Sequence, residues 1–144
     1  MQMTMREAFE IGTDAFNNHD IDTFAEVLAD DVVFEAPGGL RGVGKAACAE
    51  FYRGWFQAFP DAHVSVEAVH VCDDVIVEEG TFTGTHHGGL ATPGGEIPPT
   101  GRRVTVPYVH VLHFSGAKHA SFALMFDRLL MLEQLGVVPQ AAVT

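Results

Sequence analysis

One carboxylate, Asp127, interrupts the most apolar run of the chain, residues 122–132. Burying an ionised carboxylate without a partner is costly, and desolvation makes such a group more basic. A carboxylate in this setting is therefore a candidate acid/base catalyst. The alternative is structural: Arg128 or a backbone amide would satisfy Asp127 at the end of a strand, where the carboxylate caps the next turn.

Histidine is the second residue type here that could move protons, and the chain has eight. On a strand, His113 shares a face with Val109 and Val111, which would give the imidazole an apolar setting. It could bond an enolate oxygen or Asp127, or it could simply bond a backbone carbonyl. His110 points to the opposite face and ranks second, because a one-residue bulge would exchange the two.

The adjacent pair His86 and His87 opens a Gly- and Pro-rich stretch, residues 85–101. Adjacent histidines on a strand point to opposite faces, and no HxH or HxxxH set with carboxylates accompanies them. We therefore expect no metal site. His86 is predicted to line a pocket as a hydrogen-bond donor, with an ordinary loop histidine as the alternative.

Composition predicts one domain over residues 1–144. The chain is 47% apolar and has a formal net charge of -11, which argues against nucleic-acid and anionic-membrane partners. The expected partner is a small hydrophobic molecule or a second copy of the chain. Cys48 and Cys72 form no CxxC pattern, and no apolar run approaches the roughly 20 residues that span a bilayer, so we expect a cytoplasmic protein. The acid excess, including Glu78 and Glu79, is interpreted as solvated surface.

Three N-terminal helices are predicted. Thr4 and Glu7 have the spacing of a capping box, and Asp20 is placed to cap a short second helix. The third helix covers residues 44–59, where Phe51, Trp55 and Phe59 recur on one face. These aromatic residues are core by default, and some are expected to wall a pocket. Two tyrosines, Tyr52 and Tyr108, could donate hydroxyl groups to a carbonyl.

A short strand is predicted near residues 31–35, before the third helix. From residue 62 onward the period changes to two, which predicts strands near 64–68, 75–82, 104–114 and 119–130, with a long loop over 85–101. The resulting fold is α+β: a curved antiparallel sheet of about four to six strands, covered on one face by three helices. An apolar pocket can form between the helices and the sheet.

Three segments carry a resemblance to a known family. They are residues 17–32, with the asparagine and "adD-V" pattern; Gly84–Gly88 with Pro98–Arg102, similar to GTHxG and PPTGR; and Asp127–Gly136, similar to D-x-L-x-L-L-x-Q-L-G. In this order they resemble the SnoaL-like polyketide cyclases, or ester cyclases, of the nuclear transport factor two and ketosteroid isomerase superfamily.

The resemblance implies a helix-covered cone with a deep pocket, usually a homodimer through the sheet, and no metal or organic cofactor. Asp127 matches the family's catalytic acid/base, and His113 the inward position on the preceding strand. The chain departs from the family at residues 121–123, where Ala123 replaces the tryptophan of Glu-x-Trp, so the pocket floor is remodelled. Val111, Ala123 and Met125 are expected to line that pocket.

The implied function is cyclase-type chemistry on a small hydrophobic carbonyl substrate, such as an intramolecular aldol cyclisation. Asp127 would remove a proton next to a carbonyl and return one to the new alkoxide. Double-bond isomerisation would use the same base. Epoxide hydrolysis would need an Asp-Arg-Asp set, for which only Asp127 and Arg102 are available. A non-catalytic dimer that binds a hydrophobic ligand is the remaining alternative.

Overall fold

The computed structural model describes residues 2–139, which form four helices and eight strands. The helices are α1 (Met5–Asn17), α2 (Ile21–Glu26), α3 (Lys45–Ala58) and α4 (Arg128–Gln134). The strands are β1 (Leu28–Ala36), β2 (Leu40–Val43), β3 (His63–Cys72), β4 (Val75–Thr85), β5 (Leu90–Thr92), β6 (Gly95–Ile97), β7 (Arg103–Ser115) and β8 (Lys118–Phe126).

The first two helices begin where their capping residues predict. The Thr4 hydroxyl accepts a hydrogen bond from the Glu7 N–H at 3.1 Å, and the Glu7 carboxylate accepts one from the Thr4 N–H at 3.2 Å, which confirms the capping box. Asp20 caps α2 by accepting from the Thr23 N–H at 3.1 Å. Between the helices, His19 turns the chain with a φ of 55°.

Six strands form the main sheet in the order β2-β1-β8-β7-β4-β3. Neighbouring strands are antiparallel except β1 and β8, which pair in parallel, so the sheet is mixed where the sequence predicted a purely antiparallel one. The parallel pair arises because α3 carries the chain from the β1–β2 hairpin to the far edge of the sheet at β3. The last strand, β8, then closes against β1.

The helices pack on one face of this curved sheet. Alternate residues of β4 and β7 are buried beneath them, among them Ile76, Phe82, Val106 and Leu112. This arrangement confirms the α+β fold with a helix-covered sheet. None of the helices within residues 2–139 is long and apolar enough to cross a membrane.

The C-terminal part of the fold differs from the sequence prediction in two places. Strand β8 ends at Phe126, four residues earlier than expected, because Asp127 starts α4 there. The predicted loop over residues 85–101 contains the short β5–β6 hairpin, which is separate from the main sheet.

Asn17 fastens the end of α1 to β3. Its side-chain amide donates to the Val64 carbonyl at 3.0 Å, and its side-chain oxygen accepts from the Val64 N–H at 2.8 Å. This part-buried pair mimics one step of a sheet ladder. It therefore fixes the helix against the edge of the sheet that borders the pocket.

Replacing Asn17 by alanine should lower the free energy of unfolding by about 1–3 kcal/mol, because both backbone groups of Val64 lose their partner. The neighbouring Asn18 is exposed and makes a matched control, so Asn18→Ala should cost less than about 0.5 kcal/mol. Urea denaturation of both variants measures the difference. Equal costs would show that the Asn17 hydrogen bonds are not stabilising.

Candidate active site

A cavity of about 80 Å³ lies between the helices and the inner face of the sheet. At this size it can hold several water molecules or the reacting part of a small ligand. Its walls are largely aromatic and aliphatic, as in most small-molecule sites. The apolar lining includes Phe9, Phe16, Phe24, Trp55, Phe82, Leu112, Phe122, Leu124 and Phe126.

Glu78 is the central polar group of this cavity and is only 4% exposed. One carboxylate oxygen, Oε2, accepts a hydrogen bond from the Tyr108 hydroxyl at 2.5 Å. The other, Oε1, lies 3.3 Å from Nδ1 of His110. The three residues come from neighbouring strands, β4 and β7, whose inward side chains meet at this point.

Gly80 makes room for this arrangement. It lies opposite Tyr108 in the β4–β7 ladder, and a Cβ atom at residue 80 would come within 2.5 Å of the tyrosine hydroxyl oxygen. A side chain there would displace the phenol from its path along the sheet. The absence of a side chain at residue 80 thus lets Tyr108 reach Glu78.

The surroundings of Glu78 keep it ionised. Burial by itself would raise the pKa of Glu78, but the hydrogen bond and charge of His110 and the hydrogen bond from Tyr108 outweigh it. The net effect is a pKa below the usual glutamate range. The pKa of Tyr108 is raised, first by burial and then by the Glu78 charge, so the phenol stays protonated and remains a donor.

His110 presents its second ring nitrogen to the cavity. Since the Glu78 carboxylate can only accept, Nδ1 of the imidazole donates to it, and Nε2 of a neutral ring is left with its lone pair. Nε2 is buried and has no hydrogen-bond partner within residues 2–139. The ring packs edge-on to Phe122, with centroids 4.9 Å apart. A carboxylate-oriented imidazole of this kind can act as a general base.

A second histidine, His119, also lines the cavity and is 4% exposed. Its ring lies against Phe114, with centroids 4.5 Å apart. Burial, followed by the charge of His110, lowers the pKa of His119 to about 4, so this imidazole is neutral at pH 7.

Asp127 does not reach the cavity. It is exposed, and its carboxylate accepts a hydrogen bond from the Leu130 N–H at 3.0 Å, which makes it the N-cap of α4. The expected burial of this carboxylate is therefore wrong, and the capping alternative is correct. The reason is that β8 ends one residue earlier, so the inward side chain at this end of the strand is Phe126.

The inward face of β7 carries His110 rather than His113. Tyr108, His110 and Leu112 line the cavity, whereas His113 is exposed on the opposite face. The prediction that His113 faces the pocket is therefore wrong, and no bulge was needed to bring His110 inward, because the β4–β7 ladder is regular from residue 103 to residue 113. The same alternation places Val111, Ala123 and Met125 on the outer face of the sheet, so the prediction that they line the pocket is wrong.

Some of the predicted aromatic lining is in place. Trp55, Tyr52 and Tyr108 border the cavity. Phe51 and Phe59 do not line it: Phe59 is fully buried in the core against Trp55, and Phe51 packs between Phe34 and Tyr52. Burial raises the pKa of Tyr52, which therefore stays a hydroxyl donor in the wall.

His86 stabilises the loop of residues 85–101 and does not line the cavity. The imidazole is fully buried against Phe59, and its Nδ1 accepts from the Thr100 N–H at 3.1 Å. It thereby joins the two ends of the stretch that carries β5 and β6. The prediction that His86 lines the cavity is wrong, because the backbone of residues 86–88 bonds to Ala58 and Arg102 and keeps the ring behind Phe59.

The sequence analysis missed Glu78 and His119. Glu78 was predicted to be a solvated acid, although its spacing of two and four residues from Ile76, Gly80 and Phe82 places it on the same, inward face of the strand. No sequence pattern indicated that His119 faces inward, because a register shift between residues 113 and 114 of the β7–β8 ladder turns it there. Within residues 2–139, no group of three His, Cys, Asp or Glu residues is placed to hold a metal ion.

The model of the SnoaL-like domain family matches residues 11–122. The chain belongs to this family. The matched region contains Glu78, His110 and His119, so the polar groups of the cavity all lie inside the SnoaL-like domain. No curated protein matches the chain.

Solved structures share this SnoaL-like fold at low sequence identity. A candidate polyketide cyclase from Pseudomonas putida KT2440 is 23% identical, with a TM-score of 0.81 over 92% of this chain and 98% of that chain. AclR, a candidate hydroxylase from Streptomyces galilaeus, is 22% identical, with a TM-score of 0.81 over 96% and 84%. A candidate SnoaL-like polyketide cyclase from Jannaschia sp. CCS1 is 21% identical, with a TM-score of 0.80 over 96% and 98%. These similarities establish the fold.

The lowered pKa of His119 predicts acid sensitivity. Between pH 6.5 and pH 4 the unfolded chain binds a proton at residue 119 that the folded chain does not, so stability falls as the pH drops through this window. The full loss amounts to about 3 kcal/mol. His119→Phe should flatten this part of a plot of unfolding free energy against pH, and the exposed His113→Phe should not. Identical curves for both variants would contradict the assignment.

Proposed function

We propose that this domain, residues 1–144, is a cytoplasmic cyclase-type enzyme that performs acid/base chemistry on a small hydrophobic carbonyl compound. The observation that carries the proposal is the buried Nε2 atom of His110, which faces an apolar cavity while Nδ1 is held by Glu78. His110 is the general base, and Glu78 is a positioning residue.

The proposed chemistry starts from the neutral form of the His110 ring. Nε2 of His110 removes a proton from the carbon next to a carbonyl, and the electron pair of that C–H bond forms an enolate. Glu78 stabilises the imidazolium produced, and the Tyr52 hydroxyl is a donor for the enolate oxygen. In a cyclisation, the enolate carbon then bonds to a second carbonyl carbon, and the resulting alkoxide takes the proton back from His110. Atoms and charge balance without a cofactor.

The cavity walls support a hydrophobic, ring-forming substrate. Aromatic side chains from α1, α3 and β8 surround the dyad, so the substrate must exchange water for an apolar surface. Structural neighbours that are candidate polyketide cyclases are consistent with this class. Isomerisation uses the same base and is the second candidate. Epoxide hydrolysis is less well supported, since neither Arg102 nor Asp127 lines the cavity.

Proton abstraction can be measured without the natural substrate. We use 2-tetralone, a bicyclic aromatic ketone, and follow the exchange of its α-hydrogens for deuterium by NMR at neutral pD. The wild-type protein should accelerate exchange, and His110→Gln should reduce the acceleration by about 100-fold or more. Glu78→Gln should also slow exchange, because Nδ1 loses its ionised acceptor.

Two variants are matched controls for this assay. His113→Gln alters a histidine on the same strand that faces outward, and Asp127→Asn keeps a side-chain oxygen for the cap of α4. Both should exchange at the wild-type rate. Loss of activity in Asp127→Asn, with retention in His110→Gln, would overturn the assignment of the base to His110. Binding without any exchange would favour a hydrophobic-ligand carrier.

We also propose that the protein is a homodimer through the outer face of the sheet. Apolar side chains from three adjacent strands share this face: Val77 on β4, Val109 and Val111 on β7, and Ala123 and Met125 on β8. Met125 is 55% exposed. An apolar stripe across the middle of a sheet is typical of a protein contact surface, and an isologous dimer would cover it with the same stripe.

A charge in this stripe should separate the protomers. Val111→Glu places a carboxylate within the apolar stripe, where the proposed contact would bury it, so we expect a monomer in light scattering coupled to size exclusion. Val43→Glu is the control, because Val43 is 57% exposed on the edge strand β2, away from the stripe. A wild-type monomer, or a Val111→Glu dimer, would contradict the proposed interface.

A further inference from the structure

His119 has a hydrogen-bonding capacity that the acid/base step does not use. Its Nε2 atom is buried and has no partner within residues 2–139. The ring borders the cavity, and Nε2 faces Gly12 on α1, another cavity residue: a Cβ atom built on Gly12 would lie 3.5 Å from it. A buried polar atom without a partner is costly, so its presence here calls for an interaction that the folded chain does not supply.

The protonation state of His119 defines what this interaction must be. With a pKa of about 4 the ring is neutral at pH 7 and carries one N–H group. Nε2 is therefore either the donor or the acceptor of this ring, and a hydroxyl group, which can both donate and accept, satisfies it in either tautomer.

The cavity thus presents two unpaired ring nitrogens among apolar walls. Nδ1 of His110 is paired with Glu78, and Nε2 of both His110 and His119 has no hydrogen-bond partner within residues 2–139. Tyr108 cannot serve either nitrogen, since its hydroxyl is committed to Glu78 at 2.5 Å. A ligand with a single hydroxyl group would leave one of the two nitrogens unsatisfied.

We propose that His119 is a substrate-binding residue and that the ligand is a hydrophobic ring compound with two hydroxyl groups, phenolic or enolic, one for each imidazole. This inference deepens the function proposed above, in which His110 is the base. It assigns to His119 the recognition of a hydroxyl group away from the reacting carbon. Selectivity then follows, because an analogue without this hydroxyl leaves a buried ring nitrogen unpaired.

Gly12 keeps the approach to His119 open. The nearest atoms to a Cβ at residue 12 are Nε2 and Cε1 of His119, at 3.5 and 3.7 Å, which is ordinary van der Waals contact. A methyl group would therefore fit without strain but would cover Nε2. Gly12→Ala blocks the proposed hydrogen bond without changing the histidine, and alanine is the better helix former.

The test uses binding alone. Dihydroxynaphthalene isomers with different hydroxyl separations are each compared with their monomethyl ethers at pH 7. The single tryptophan of the chain, Trp55, lines the cavity and reports occupancy by fluorescence quenching. For the isomer whose hydroxyl separation fits both imidazoles, the wild-type protein should bind the diol about tenfold more tightly than either ether.

Two variants locate the hydroxyl that matters. His119→Phe and Gly12→Ala should both remove the preference for the diol over the ether that lacks the hydroxyl facing residue 119. The melting temperature of Gly12→Ala should be unchanged or higher, which shows that the fold is intact. Asp14→Ala, at an exposed position of the same helix outside the cavity, is a control that leaves His119 uncovered, and it should keep the tenfold preference.

The outcomes separate this inference from the function on which it rests. No diol preference for any isomer, or a preference that survives both variants, would overturn the role of His119 whatever the exchange rates are. Conversely, a preference that depends on His119 together with full exchange activity in His110→Gln would retain the binding site and refute the proposed base.

Discussion

The structure depends on keeping one ionised carboxylate, Glu78, inside an aromatic cavity. Desolvation opposes this charge, and the hydrogen bonds from Tyr108 and His110, together with the charge of His110, offset it. The same contact orients His110: because Glu78 holds Nδ1, the opposite ring nitrogen, Nε2, is the unpaired one. The burial of Glu78, its charge and the orientation of His110 therefore depend on the same contacts.

The fold satisfies this constraint through strand pairing. Strands β4 and β7 run antiparallel in unbroken register over eleven residue pairs, from Val75 with His113 to Thr85 with Arg103. Regular alternation brings Glu78, Tyr108 and His110 to the same face, and Gly80 leaves room for the phenol. The helices then cover this face and exclude water. The opposite face of the same strands carries valines, so one pattern supplies both the cavity and the proposed dimer contact.

Irregular strand pairing also determines which side chains enter the cavity. The register shift between β7 and β8 places His119 opposite Phe114 and turns its ring inward, where strict alternation from Phe122 would not have placed it. Asp127 illustrates the same point at the other end of β8. An apolar run continued past residue 127, but the chain changed from strand to helix there, so the carboxylate became a cap.

The sequence by itself determined the α+β class, the capping of α1 and α2, and the family, because these depend on local spacing and on motifs spread along the chain. Because side chains alternate along a strand, the sequence also assigned each strand residue to one of two faces, without deciding which face is buried. Only the tertiary structure decided which face lies under the helices, since a shift of one residue exchanges every inward and outward side chain. That decision left Asp127 outside the cavity and brought His110, Glu78 and His119 into it, because burial beneath α1 and α3 is a property of the packed chain rather than of any segment.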